Sequence, residues 1–408
     1  MTKPAPGYKR ETGLFAKLNA SESFGCEMRK QVARLRRKEG GAMPVTLSHY
    51  SALDAMRALR MNDDDVQGMD RIALWKPVPW VGKQWTIRAF STEHWKWAQP
   101  SKKRPLHVLV PSQQDKIRMD TVVSHVCAKK LPTSSIIWLN EHASMVCPEL
   151  LFLQMAPELS LPELVLLGHE LCGYYSLPSS NNAGGKVQTQ VPCATSVEQI
   201  EDYLNARHRA WGVKKARAAL PYIADHAASF PEGVLSTIYA LPTDLCGYGF
   251  GRMELNQRVE VGESDDGKKR HRYPDLLFSF APIGINYDGE DHLDLKGIVA
   301  AACAMEVAEG DERGTKYEDL HKKLREVRSK VVDDIARNRE LASRGRIVLP
   351  MTKENLYGEG NLDSFTLQLL ECAESVFGID VKDAKNIILN KEMANKRYEL
   401  LSALLEKA

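Results

Sequence analysis

The sequence predicts an α/β protein, and three observations carry that prediction. Short β-branched or aromatic runs such as His107–Val110 and Ile136–Leu139 alternate with turn clusters, as strands do. Helix-opening boxes recur at Ser160–Glu163, Ser196–Gln199 and Ser229–Glu232. Hydrophobic residues make up 43% of the 408 and charged residues 26%, a balance that supports sizeable cores and excludes disordered and fibrous classes. A chain of this length exceeds one typical domain of roughly 100–200 residues, so more than one folded unit is expected.

Residues 1–42 read as a basic arm closed by Gly40-Gly41, with one helix around Glu27–Lys38. Over the whole chain 55 Lys and Arg nearly balance 53 Asp and Glu, but residues 1–60 hold twelve of the former against five of the latter, a local net of +7. That excess suits attraction to a phosphate backbone, although a solvated terminus shows the same pattern.

Residues 43–213 read as a mixed α/β module. Leu164, Leu167 and Leu171 supply the buried face of a helix opened at Ser160 and stopped by Gly173. His169-Glu170 lies on that helix without the second histidine of an HExxH zinc site, so it reads as packing. The eight cysteines form no CxxC pair and sit in mostly apolar stretches, as reduced thiols in a cytoplasmic protein would. No apolar leader and no run near the ~18 residues of a membrane span is present, so no membrane partner is expected.

A second unit is expected over 214–361, beginning near Lys214. After the helix opened by Ser229, residues 254–261 alternate with period two and place Leu255, Val259 and Val261 on one strand face. A hairpin-like turn over Gly262–Gly267, a strand candidate over Tyr273–Phe280 and a short strand over Ile283–Gly289 complete a meander. Leu320, Leu324, Val327, Val331, Ile335 and Leu341 then keep helical spacing up to Gly345, and Arg346–Pro350 reads as a last strand. Residues 362–408 read as a helical segment that either packs back on the core or serves self-association as a homo-oligomer.

The residues with chemistry in them cluster in this second unit. Asp275 follows Pro274 at a strand start, while Asn286 and Asp288 occupy alternate positions of the next strand and so share a face. If those strands pair, Asp275 and Asp288 converge as a hard-oxygen site suited to Mg²⁺ or Mn²⁺, with Glu232 as a third ligand and His292 as general base. Each residue also has a plain reading: Asp288-Gly289 as a turn, Pro274-Asp275 as a strand start, Glu232 as a member of its own capping box.

Taken together, Pro274-Asp275, Asn286-Tyr287-Asp288-Gly289, His292, Asp334-x-x-Arg337, Leu341, Gly345 and Val348 resemble the small PD-(D/E)XK nuclease domains related to very-short-patch-repair endonucleases. Ser229-x-x-Glu232 is similar to the helix that opens those domains. Upstream, Leu106–Leu109, Ser124–Val126, Leu131-Pro132, Cys147–Glu149 and Leu159–Glu163 resemble landmarks of an AbiEi-type antitoxin module, a pairing also similar to two-part proteins of actinobacteria. The resemblance covers residues 45–360. It implies an antitoxin-like module followed by a restriction-endonuclease-like mixed sheet flanked by helices. The activity it implies is metal-dependent cleavage or nicking of DNA in phage defence or repair. In it Asp275, Asp288, Asn286 and His292 are catalytic, Asp275, Asp288 and Glu232 hold the metal, and Lys268, Lys269, Arg270, Lys330 and Arg337 face nucleic acid. The chain departs from the family pattern in carrying Asn286 where an acidic residue is usual and Asp288 at the lysine place of E-x-K. The alternative is a nucleic-acid-binding regulator of the antitoxin class whose nuclease scaffold is catalytically attenuated.

Overall fold

The computed structural model describes residues 45–62, 64–72, 100–139, 143–180, 184–263, 267–289 and 295–408. The basic arm and its expected helix lie outside them. The protein is mixed α/β and divides into two compact units, one of Met1–Ala55 with Gly68–Cys147, the other of Met56–Gln67 with Pro148–Ala408. The chain crosses between the units after Ala55, after Gln67 and finally after Cys147, and the helices that follow the first capping boxes belong to the second unit.

The first unit is built on β1 (Val45–Leu47), β2 (Arg71–Ile72), β3 (Leu106–Val110), β4 (Val122–Val126), β5 (Ile136–Trp138) and β6 (Ala143–Val146), with α1 (His49–Met61) leaving β1 directly and entering the second unit at Met56. They form one sheet in the order β2-β5-β6-β1-β3-β4. β1 runs parallel to β6 and antiparallel to β3, so the first strand in sequence becomes a central one. Its position explains why β1 and β6 are buried at every residue, as strands covered on both faces are. Thr46 and Ser144, opposite each other in register, satisfy one another through a 3.0 Å hydroxyl contact.

The second unit begins with α2 (Pro148–Met155) and α3 (Leu161–Cys172), then β7 (Tyr175–Ser176), β8 (Gln188–Thr189), α4 (Val197–Ala206), α5 (Val213–Ala219) and α6 (Phe230–Ala240). Ser160 and Ser196 both close reciprocal capping boxes, with Glu163 and Gln199 respectively. α3 is buried from Leu164 to Cys172, and His169 packs inside it with Nδ1 3.1 Å from the Ala224 carbonyl. At its C-terminal end Arg60, 1% exposed, donates to the carbonyls of Glu170, Gly173 and Pro192. A cation at carbonyls left open by the helix end is a favourable way to bury a guanidinium.

The rest of the unit is a sheet between two helical layers, built from β9 (Glu254–Leu255), β10 (Val259–Glu263), β11 (Lys269–Arg272), β12 (Leu276–Leu277), β13 (Ile283–Asp288), α7 (Leu295–Val307), α8 (Asp311–Ala342) and β14 (Ile347–Thr352). The helices α9 (Lys353–Tyr357), α10 (Asn361–Phe377), α11 (Lys382–Leu389) and α12 (Lys391–Leu405) close the chain. The main sheet has the order β14-β13-β12-β9, with β9, β12 and β13 successively antiparallel and β14 parallel to β13. Period two sends Leu276, Ile283, Ile285 and Met351 into one core with α6, α10 and α12, while Leu277 and Val348 meet Leu341 of α8 on the other face. Leu369, Leu370, Ile388, Leu401 and Leu404 lie in the first of these cores, so the C-terminal helices pack back on the sheet.

One strand expectation is corrected. The alternating stretch 254–261 is two strands in different sheets, because Asn256 adopts φ +49° and a left-handed residue ends the pleat. β9 joins the main sheet, whereas β10 turns away to pair with β11 as a two-stranded ribbon.

Candidate active site

Strand pairing brings the acidic residues of the sequence motif together. Leu276 lies opposite Ile285 in the β12–β13 pair, which sets Asp275 across from Asn286. The Asp275 amide donates to Asn286 Oδ1 at 3.3 Å, and Asp275 Oδ2 accepts the Tyr287 amide at 2.6 Å. Asn286 is 1% exposed and its Nδ2 donates to Asn338 Oδ1 of α8 at 3.4 Å. By strand alternation Asp275, Asn286 and Asp288 share the face that α8 covers.

Glu232 reaches this place from the start of α6. Ser229 Oγ accepts the Glu232 amide, as an N-cap does. The Glu232 carboxylate, 6% exposed, accepts the Ala228 amide at 2.8 Å, the Ser229 hydroxyl at 2.7 Å and Asn256 Nδ2 at 2.7 Å. The same turn that ends β9 thus aims the Asn256 amide at Glu232, and the Asn256 amide nitrogen of the backbone donates to the Asp275 carbonyl at 3.1 Å.

Electrostatics follow from this crowding. Burial raises the Glu232 carboxyl above the ordinary carboxylate range, against the hydrogen bonds it receives. Burial, then the Glu232 charge, push Asp275 up to about 7, with Asp288 adding to the rise and the Tyr287 amide and Arg337 opposing it. Arg337 is the nearby counter-charge, itself paired with Asp334 at 3.1 Å one helical turn away.

The basic residues expected to face nucleic acid are placed on the ribbon and on α8. Lys269 pairs with Glu260 across the ribbon at 2.8 Å, and Arg270 and Arg272 both pair with Glu340 of α8. Lys268 and Lys330 are exposed, while Arg337 is half-buried beside the carboxylates. His292 lies outside the described residues.

A divalent cation is implied by the motif, and the side chains test that implication unevenly. Among the described residues no three His, Cys, Asp or Glu side chains converge in metal-ligating geometry. Glu232 already accepts three hydrogen bonds and Asn286 is bonded at both ends, so these two orient their neighbours. Asp275, which accepts one backbone amide, and Asp288 offer carboxylate oxygens, and two carboxylates suit Mg²⁺, which keeps several waters and takes the rest of its shell from phosphate. Sequence reasoning missed Asn256 and Asn338, because nothing in the local pattern of either stretch distinguishes an orienting amide from a surface one. No family model, curated protein or solved structure matches the chain.

Proposed function

We propose that the second unit is a metal-dependent DNA endonuclease or nicking enzyme whose site is formed by Asp275 and Asp288. The observation that carries this reading is the register that sets Asp275 opposite Asn286, two residues from Asp288, where burial and then the Glu232 charge push the Asp275 carboxyl up to about 7. Buried carboxylates that raise one another's pKa favour a cation, and a helix, three antiparallel strands, a long helix and a parallel fourth strand support the nuclease-like resemblance.

In this reading Mg²⁺ or Mn²⁺ would be held by Asp275 and Asp288, and when bound it polarises the phosphoryl oxygen and acidifies a water. Glu232, fixed by Ser229 and Asn256, sets the charge that Asp275 feels. Asn286 holds the Asp275 backbone in line with α8, and His292 is the proton acceptor. Lys268, Lys269, Arg270, Lys330 and Arg337 supply phosphate attraction when their present partners exchange for phosphate.

A second reading is favoured by one specific observation, the saturation of Glu232 and Asn286 by protein hydrogen bonds: a regulator that binds nucleic acid on the same scaffold without cutting it. Cleavage of supercoiled plasmid and single-stranded DNA in Mg²⁺ and Mn²⁺ separates the two. Cleavage by the wild type that is lost in both Asp275→Ala and Asp288→Ala is the expected result. Retained cleavage in both variants overturns the site, and DNA binding without any wild-type cleavage selects the regulator.

A further inference from the structure

Between α4 and α5 the chain holds a bare indole on a surface of one charge sign. From Tyr203 to Ala224 no residue is acidic, while Arg207, Arg209, Lys214, Lys215 and Arg217 are basic. Acids make up 53 of the 408 residues, so a stretch of 22 would ordinarily carry about three. Trp211 stands in its middle at 87% exposure, above every other large apolar side chain described, and makes no ring contact among the described residues. A single exposed apolar side chain needs no explanation of its own. Two further observations set this one apart.

The first is that the turn carrying the indole is pinned from behind. The Arg207 amide donates to the Tyr203 carbonyl at 3.0 Å, the Ala210 amide to the Arg207 carbonyl at 2.8 Å and the Val213 amide to the Ala210 carbonyl at 3.3 Å. Gly212 takes φ +82°, and its backbone lies so close to α2 and the turn after it that a Cβ there would fall 2.9 Å from the Pro157 ring. Val213, Ala216 and Ala219 are buried on the inner side. The turn therefore displays Trp211 already in place, without an ordering cost on binding.

The second is that the cations beside it are uncommitted. His208, Arg209 and Lys214 are exposed and pair with no carboxylate among the described residues. Arg217 bonds neutral oxygens, Asn205 Oδ1 at 3.0 Å and the Leu204 carbonyl at 3.5 Å, and Lys215 donates to the Leu159 carbonyl. The acids closest in the chain or in packing, Glu158 beside Pro157 and Glu201 and Asp202 on α4, are three against the five basic residues, so the surface stays positive.

We propose that this surface binds single-stranded DNA, with Trp211 stacking on a base and Arg209 and Lys214, two residues before it and three after, taking the flanking phosphates. A duplex keeps its base faces inside its own stack, so a free indole has a partner only on a single strand. A lipid surface fits less well, because an interfacial segment needs a wide apolar face and Trp211 is the one large exposed apolar side chain from Tyr203 to Ala224. No carboxylate in the stretch accepts a 2′-hydroxyl, so nothing there selects RNA. The inference does not rest on the Asp275 site, which shares none of these residues.

Fluorescence anisotropy of a labelled oligo-dT of roughly 15 nucleotides, titrated with the full chain without divalent cation so that cleavage plays no part, tests the surface. The wild type is expected to bind. Trp211→Ala, at a position too exposed to unfold the unit, should weaken binding at least roughly tenfold, and Trp211→Phe, which keeps a ring, should lose less. Binding of the matching dT·dA duplex should not change in Trp211→Ala. Replacing Arg209 and Lys214 together by Ala should flatten the salt slope on the single strand by about 1.4. No binding by the wild type, undiminished binding in Trp211→Ala, an equal loss on the duplex, or tighter binding of oligouridylate than of oligo-dT overturns the proposal. Capture of phosphatidylserine vesicles that is lost in Trp211→Ala overturns it in favour of a lipid surface.

Discussion

Each unit gathers like-titrating groups on one face of a sheet, and the two gatherings behave in opposite ways. In the first unit His107 and His125, from adjacent strands, are joined by a 2.9 Å contact from Nδ1 to Nε2, and His49 stacks on His125 with ring centres 3.5 Å apart. Burial and then mutual repulsion lower His49 to about 3 and His125 to about 4. In the second unit burial and repulsion raise Asp275 to about 7. Desolvation disfavours charge in both places, yet only His107 and His125 then bond to each other, since a neutral imidazole both donates and accepts. Ionised carboxylates only accept, so theirs is a cluster that needs outside donors, supplied by Ala228, Ser229, Asn256 and Tyr287, or a cation.

Acid should break the histidine side of this comparison with the largest effect. The folded pKa values lie below the unfolded value near 6.5, so the unfolded chain binds more protons and stability falls as pH drops from 6.5 toward 4. For His49 the limiting loss is on the order of 5 kcal/mol. Urea midpoints of the first unit between pH 7 and pH 4 should show it, and His125→Gln should flatten the slope. A midpoint independent of pH in the wild type would mean that the imidazoles are solvated.

Asp275→Asn should sharpen the carboxylate side. A folded pKa above the unfolded value makes stability fall as pH rises through 7, so at pH 8 the variant should be more stable than the wild type by up to about 4 kcal/mol. Added Mg²⁺ should raise the melting temperature of the wild type at that pH and leave the variant unmoved. A destabilised variant would show that the carboxylate charge is already compensated.

Asn286→Asp adds charge where the motif usually has it and removes the donor to Asn338. The metal-free protein should lose about 2 kcal/mol and Mg²⁺ affinity by calorimetry should rise. Unchanged affinity would place residue 286 outside the metal shell. The smallest effect belongs to Lys269→Ala, which should leave folding intact and reduce the salt dependence of DNA binding by about one released counter-ion. An unaltered slope would show that Lys269 stays with Glu260.

Local rules made much of the second unit legible. The serines at 160, 196 and 229 open the helices they predict, Gly345 at φ +72° follows α8, and the strands carrying Asp275 and Asp288 do pair, with Asn286 the residue set opposite Asp275. What escaped is equally specific. Asn256 was hidden inside a period-two stretch because alternation reports burial of side chains and not the sign of φ. His49 carried no signal, since its approach to His125 depends on where β1 enters the sheet.

The sequence by itself determined the α/β class, the helix starts, the long amphipathic α8 and that Asn286 and Asp288 share a strand face, all of which depend on interactions within a few residues. Only the tertiary structure decided that β1 lies between β6 and β3, that Arg60 and Arg397 are buried cations, and that histidines titrate low while Asp275 titrates high. Those outcomes depend on desolvation and on charges from segments far apart in the chain, which no local pattern records.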